Sequence, residues 1–381
     1  MPAAAPASNS KEVSITSTLP STEDWMDAIV DPHPSPVLDR LFRRRTGLSP
    51  AMVPYVAPHP WAYRPFLFLM NPKLEALDQH LCSQICFVVA RDNACRFCYG
   101  SFRSFLRVAG YSTSELNRLE EELSLNGDHS AEHEALRFVV ELSQGRLQAG
   151  TTPTDLHEAG YDETVIREIG GIAAVSTFIN RVATMLAIPV NAEAESLTHQ
   201  WYFELLQPVL RILLQGWQRI GTPDAPPLAA VDVDGPFSSW IERLVETCVG
   251  HVLHDLTTQW LQEETALPLR TKLFVLAVVA RGLGSQALEE QAETLLIDRC
   301  NLSRQAVKAV VDHLRGRVVT EREEALLQLA RESIRYEAGR IQPTVREHTQ
   351  DLSRAETIDA VATLALSNAL ARLRALAPLD D

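Results

Sequence analysis

The stretch Asp92-Asn93-Ala94-Cys95-Arg96-Phe97-Cys98-Tyr99-Gly100 interrupts one apolar helix and opens another. Upstream, Leu81 to Arg91 reads as an apolar helix. Downstream, Cys98, Phe102, Phe105, Leu106 and Ala109 recur at helical spacing until Gly110. Asn93 is the expected N-cap and Gly110 the expected stop. Two thiols three residues apart in a first helical turn share a face and lie within reach of a disulfide. The free N–H groups and positive dipole of that end stabilise a thiolate, and Arg91 and Arg96 add cationic charge nearby. The thiolate is the reactive form of cysteine. Cys95 and Cys98 are therefore the candidate catalytic residues, with His80, Arg91 and Arg96 as auxiliary candidates.

Helical periodicity continues outward in both directions, and alternating strand patterns are scarce. Ser112-x-x-Glu115 is a capping box opening a helix through Leu116, Leu119 and Leu123. Glu132 to Gln144 reads as another helix. Asp162 can cap a long one through Ile166, Ile169, Ile172, Val175, Phe178 and Val182, ending near Pro189, and Asn191 to Ile220 carries Leu197, Trp201, Leu205, Leu206, Val209 and Leu213 at helical spacing. The expected fold class is all-α.

The chain has 381 residues, 46% hydrophobic and 22% charged, with a net charge of −14. That charge argues against nonspecific nucleic-acid binding and against attraction to anionic membranes. No run approaches the length of an uninterrupted apolar span, so no membrane helix is expected. Residues 1–20, rich in Ala, Pro and Ser without a basic start or apolar core, read as a disordered leader rather than a secretory signal. Six cysteines, four of them between Cys82 and Cys98, fit a cytoplasmic redox or metal role better than a disulfide-stapled secreted domain.

The Pro-, Gly- and Asp-rich segment 221–235 reads as a linker. On either side of it the sequence repeats. Val88-Val89-Ala90-Arg91 matches Val278-Val279-Ala280-Arg281, and Glu134-Ala135-Leu136 matches Glu324-Ala325-Leu326, both at an offset of 190; with one residue of slippage, Arg181 aligns with Arg372. A constant offset across a domain indicates tandem duplication. The expected organisation is a helical repeat over 21–220 carrying the Cys pair and a degenerate repeat over 236–381, in which Ser285 and Leu288 stand opposite the two thiols.

The helix-flanked Cys95-Arg-Phe-Cys98, the following Ala109-Gly110-Tyr111-Ser112 and the later Phe178-Ile179-Asn180-Arg181 together resemble the alkylhydroperoxidase D / carboxymuconolactone decarboxylase family. The resemblance covers roughly residues 60–190 and, faintly, 250–378. It implies a small all-helical unit that assembles into trimers or hexamers, and a redox Cys pair that reduces peroxides or shuttles electrons. By that resemblance Cys98 is the peroxidatic and Cys95 the resolving thiol. The peroxidase members also carry a His four residues after the second Cys and a Glu twelve before the first, as a proton relay; here Phe102 and Ser83 stand in those places, and neither is a general base.

Alternatives remain at this level. Buried Cys is often a small hydrophobe, the expected role of Cys82 and Cys86. A zinc site would need Cys82, Cys86, Cys95 and Cys98 to converge. His129, Glu132, His133 and Glu134 have helix-start metal spacing, with a solvated charged face as the better account. Trp61, Tyr63, Phe66 and Phe68 read as a segment packing over the core. Tyr99 and Phe102 either wall a substrate pocket or bury a structural Cys. The leading expectation is an antioxidant-type thiol oxidoreductase without metal or organic cofactor, acting on a small hydroperoxide or a protein disulfide, served by an external thiol reductant, and forming a homo-oligomer. The rivals are a catalytically silent interaction scaffold on the same fold and a carboxymuconolactone decarboxylase-like enzyme.

Overall fold

The computed structural model describes residues 19–122, 130–145, 152–190, 202–220, 247–262 and 265–376, except positions 22, 48, 58 and 73, together with the isolated positions 196, 198, 200, 237 and 244. The expected leader (all but its last two residues) and the expected linker 221–235 lie outside the described residues.

Among the described residues there are 17 α-helices and no strand. The first nine are α1 (Pro36–Thr46), α2 (Val53–Val56), α3 (Pro60–Met70), α4 (Gln79–Asp92), α5 (Arg96–Ala109), α6 (Thr113–Glu122), α7 (Ala131–Gln144), α8 (Pro153–Glu158) and α9 (Glu163–Met185). There follow α10 (Phe203–Ile220), α11 (Cys248–Trp260), α12 (Leu269–Gly282), α13 (Gln286–Cys300), α14 (Arg304–His313), α15 (Glu321–Glu332), α16 (Ala338–Thr349) and α17 (Arg354–Arg372), closed by a 3₁₀ turn at Leu373–Leu376. None is long and apolar enough to cross a membrane.

Local chemistry sets many of the helix starts. The Ser112 hydroxyl accepts from the Glu115 amide at 3.1 Å while the Glu115 carboxylate accepts from the Ser112 amide at 2.6 Å, closing the expected capping box. Ser130 and Asp162 cap α7 and α9 in the same way, each accepting from the amide three residues on. Every residue from Ile172 to Met185 is buried, because α9 packs against α4 on one side and against α17 on the other. The pair α9 and α17 forms the spine of the molecule.

The two halves use matched devices at matched positions. Helices α4 and α12 begin and end 190 residues apart. Before α4, the Glu168 carboxylate of α9 accepts from the amides of Glu75, Ala76 and Leu77 at 2.7, 3.0 and 2.7 Å. Before α12, the Asp359 carboxylate of α17 accepts from the Leu267 amide at 2.7 Å. In both halves a buried acid on the spine helix holds the loop that launches the neighbouring helix.

Contacts between the halves are close. Gly171 of α9 faces Val249 of α11, and a Cβ there would stand 2.2 Å from Val249 Cγ1. Arg372 donates from Nε to the Ser143 carbonyl at 2.7 Å. Arg181 donates to the carbonyls of Ser333 and Ile334. The early segment joins too: Arg354 donates to the Pro54 and Ala57 carbonyls at 2.9 and 2.8 Å, and the Met26 amide donates to Gln342 at 3.2 Å.

Helix α10 differs from its expected extent. It begins at Phe203, and Leu205, Leu206, Val209 and Leu213, expected to be an apolar face, are exposed, with Ile212 beside them. Trp61 and Phe66 are buried in the core, as a packing segment requires.

Candidate functional site

The thiol loop is built by a tight reversal between α4 and α5. Asn93, expected as an N-cap, instead closes the preceding helix: its Nδ2 donates to the Val89 carbonyl at 3.0 Å and to Ser143 Oγ at 2.9 Å. Ala94 then adopts φ +49°, the left-handed conformation that turns the chain back. Cys95 itself becomes the N-cap of α5, and its sulfur accepts from the Cys98 amide at 3.3 Å. An Asn can end a helix by donating where it could start one by accepting, which is why the sequence misplaced the cap.

This placement separates the two thiols chemically. Burial pushes the Cys95 thiol up, but the Cys98 thiol, the nearby Thr184 hydroxyl and the amides of Cys98 and Phe97 outweigh it, so Cys95 lies below its ordinary value. Burial and the neighbouring Cys95 push Cys98 well above its own. Of the two thiols, Cys95 is thus the one whose surroundings favour the thiolate more. Both sulfurs are sealed, at 0% and 2% exposure, and all six cysteines are free.

Of the auxiliary candidates, Arg96 directly follows Cys95 and His80 lies away from the thiols. His80 is at the far end of α4, about 18 Å of helix from the thiol loop at ~1.5 Å per residue. There it stacks on Tyr111, with ring centroids 4.7 Å apart. Arg91 bridges Glu120 at 3.5 Å. Arg96 is the half-buried first residue of α5, and neither arginine is among the groups that shift the two thiols. Ser83 donates to the Gln79 carbonyl within its own helix, and Phe102 packs against the core. Tyr99 stacks on Phe87 and donates to Glu120 at 2.7 Å, which ties α5 to α6.

Cys82 and Cys86 are core residues, 3% and 1% exposed. A hydrogen bond with Cys86, then burial, raises the Cys82 thiol. The described residues contain no group of three or more His, Cys, Asp or Glu placed to hold a metal, so the four cysteines do not converge as a zinc site would need. Of the His/Glu group, His129 lies outside the described residues, Glu132 is exposed and His133 is buried, so the solvated-face reading fails at His133.

A cavity of ≈ 840 Å³ opens beside the thiol loop, between the halves, and Asp92 and Asn93 of the loop line it. Its floor holds Arg181, Arg372 and Tyr336. The guanidinium of Arg181 lies over the Tyr336 ring, 4.9 Å from its centroid. The Thr184 hydroxyl sits between Cys95 and Tyr336 and acts on both, yet neither the Thr184 nor the Tyr336 oxygen completes a well-formed hydrogen bond. Burial raises Tyr336 to about 12, so its hydroxyl remains a proton donor at neutral pH. Sequence reading missed Thr184, Tyr336 and the cavity, because they meet only where the two halves pack.

In the second half Ser285 occupies the position of Cys95, preceded by Gly284 at φ +69°, but its side chain makes no capping bond and its hydroxyl is buried without a partner. The turn persists without its chemistry. No family model matches the chain, and neither do any curated proteins or solved structures.

Proposed function

We propose that the chain is an antioxidant-type thiol oxidoreductase built from two alkylhydroperoxidase D-like helical repeats, only the first of which carries the reactive pair. The observation that carries this reading is the Cys95 sulfur at a helix N-cap, accepting from the Cys98 amide at 3.3 Å, with its thiol held below its ordinary value. Cys95 is the attacking sulfur and Cys98 the resolving one. With a hydroperoxide, the Cys95 thiolate attacks the outer oxygen, the O–O bond breaks and the leaving alkoxide takes up a proton. The Cys98 sulfur then displaces water from the Cys95 sulfenic acid, leaving a Cys95–Cys98 disulfide. An external thiol returns the two electrons. With a protein disulfide as substrate, the same thiolate forms a mixed disulfide that Cys98 resolves. No metal or organic cofactor enters either cycle.

Ser83 and Phe102 cannot move the proton, but Thr184 and Tyr336, beside Cys95, provide a different route from the cavity. Matched loop anchors at Glu168 and Asp359, and the turns at Ala94 and Gly284, support the repeat reading. The exposed stripe Leu205, Val209 and Ile212 on α10 supports a homo-oligomer, because contiguous apolar surface of this kind marks association sites. Free paired thiols fit the reducing cytoplasm.

A second reading, a catalytically silent scaffold, draws on the complete sealing of both sulfurs. Thiol counting separates the two readings. One equivalent of hydrogen peroxide should remove two thiols per chain, and peptide mapping should place the disulfide at Cys95–Cys98. Retention of all six thiols would favour the scaffold.

A further inference from the structure

Two arginines lie buried at the floor of the cavity between the halves, 3% and 2% exposed, and among the described residues neither has a carboxylate within ion-pair distance. Arg181 reaches only the carbonyls of Ser333 and Ile334, and its Nε has no partner. Arg372 reaches the carbonyls of Ser143, Ile334 and Asn368 and the Asn368 side chain. Each guanidinium stays charged under all ordinary conditions. Placing two of them together in the interior is costly unless something negative offsets them.

The protein supplies part of that charge. Asp92 is the one acid beside them, held by Gln144 at 2.7 Å, and burial raises its carboxyl above its usual range against the fields of Arg372 and Arg181. At the rim, exposed Arg335 and Arg340 are matched by exposed Glu332 and Glu337. The floor is thus left with a positive excess even when Asp92 is ionised. Ile334, Ile341 and the Tyr336 ring give the same cavity apolar walls.

We propose that this cavity is a binding site for a small organic oxyanion, a carboxylate or a phosphate ester with an apolar body. The oxyanion takes the free Arg181 Nε–H and the remaining Arg372 donor, and the body lies against Tyr336 and the isoleucines. This site shares Tyr336 with the proposed proton route but takes no donor from the thiols, so a Cys95→Ser/Cys98→Ser variant retains it.

Calorimetric titration of the full chain with benzoate and with phenyl phosphate tests the proposal, with benzyl alcohol as the uncharged control. We expect one saturable site per chain for at least one anion, at least tenfold tighter than for benzyl alcohol, and the tighter of the two identifies the head group. Arg181→Lys should weaken it at least tenfold. Because that variant loses cross-half hydrogen bonds and can fail to fold, Gly339→Trp provides a second test. Gly339 lines the cavity with nothing within 4 Å of a Cβ, so a bulky side chain there meets no backbone or side chain at its root and is placed to obstruct the site. It should abolish binding with the thermal midpoint preserved. No saturable binding of either anion, equal binding of benzyl alcohol, or binding undisturbed by Gly339→Trp would overturn the site.

Discussion

Arg372 donates to the Ser143 carbonyl across the junction of the halves, and Arg181, aligned with it in the other half, donates to the carbonyl of Ser333, aligned with Ser143. Each half thus reaches into the other with the same residue type for the same backbone position. Arg372→Met removes a donor to three carbonyls in a buried junction, of which that of Ile334 keeps Arg181. Each orphaned acceptor costs about 1–3 kcal/mol, partly offset by relief of buried charge. We expect a net destabilisation of about 3 kcal/mol in urea denaturation, with a smaller loss for Arg372→Lys.

Packing at the same junction gives a sharper test. Gly171→Ala should destabilise by about 1–3 kcal/mol despite the better helix propensity of alanine, because its Cβ meets Val249. In the Val249→Ala background the same change should cost much less, and thermal melts of the four variants measure that coupling.

The α10 stripe predicts assembly. Val209→Glu with Ile212→Glu alters only exposed positions, so the melting temperature of the isolated chain should hold while light scattering reports a smaller particle. An unchanged mass would show that association uses another face.

Thr184→Val removes a nearby hydroxyl that favours the Cys95 thiolate. The thiolate titration, followed by its ultraviolet absorbance in a Cys98→Ser background, should move to higher pH. The sign for stability follows. A lowered Cys95 value contributes stability that is full above the unfolded value of about 8.5 and is lost as pH falls through the folded value. Thr184→Val should flatten that dependence.

Much of the fold was legible because helix signals are local. Ser112 with Glu115, and Asp162 before α9, specify their helix starts from within four residues, and the offset between Val88 and Val278 is the spacing of α4 and α12. What was hidden depends on contacts distant in sequence. Asn93 gave the right residue type at the wrong helix end, since its amide can donate as readily as it accepts. His80 looked near the thiols in sequence, but the α4–α5 hairpin carries it to the opposite end. The uneven surroundings of the two thiols were hidden as well, because Thr184 reaches Cys95 from α9, far along the chain.

We propose Cys95, rather than Cys98, as the attacking sulfur. The direct measurement treats Cys98→Ser and Cys95→Ser variants with one equivalent of hydrogen peroxide in the presence of dimedone, followed by peptide mass spectrometry. The account predicts a sulfenic-acid adduct on Cys95 in the Cys98→Ser protein and none in the Cys95→Ser protein. An adduct on Cys98 in the Cys95→Ser protein, with Cys95 unmodified in the other variant, would contradict it.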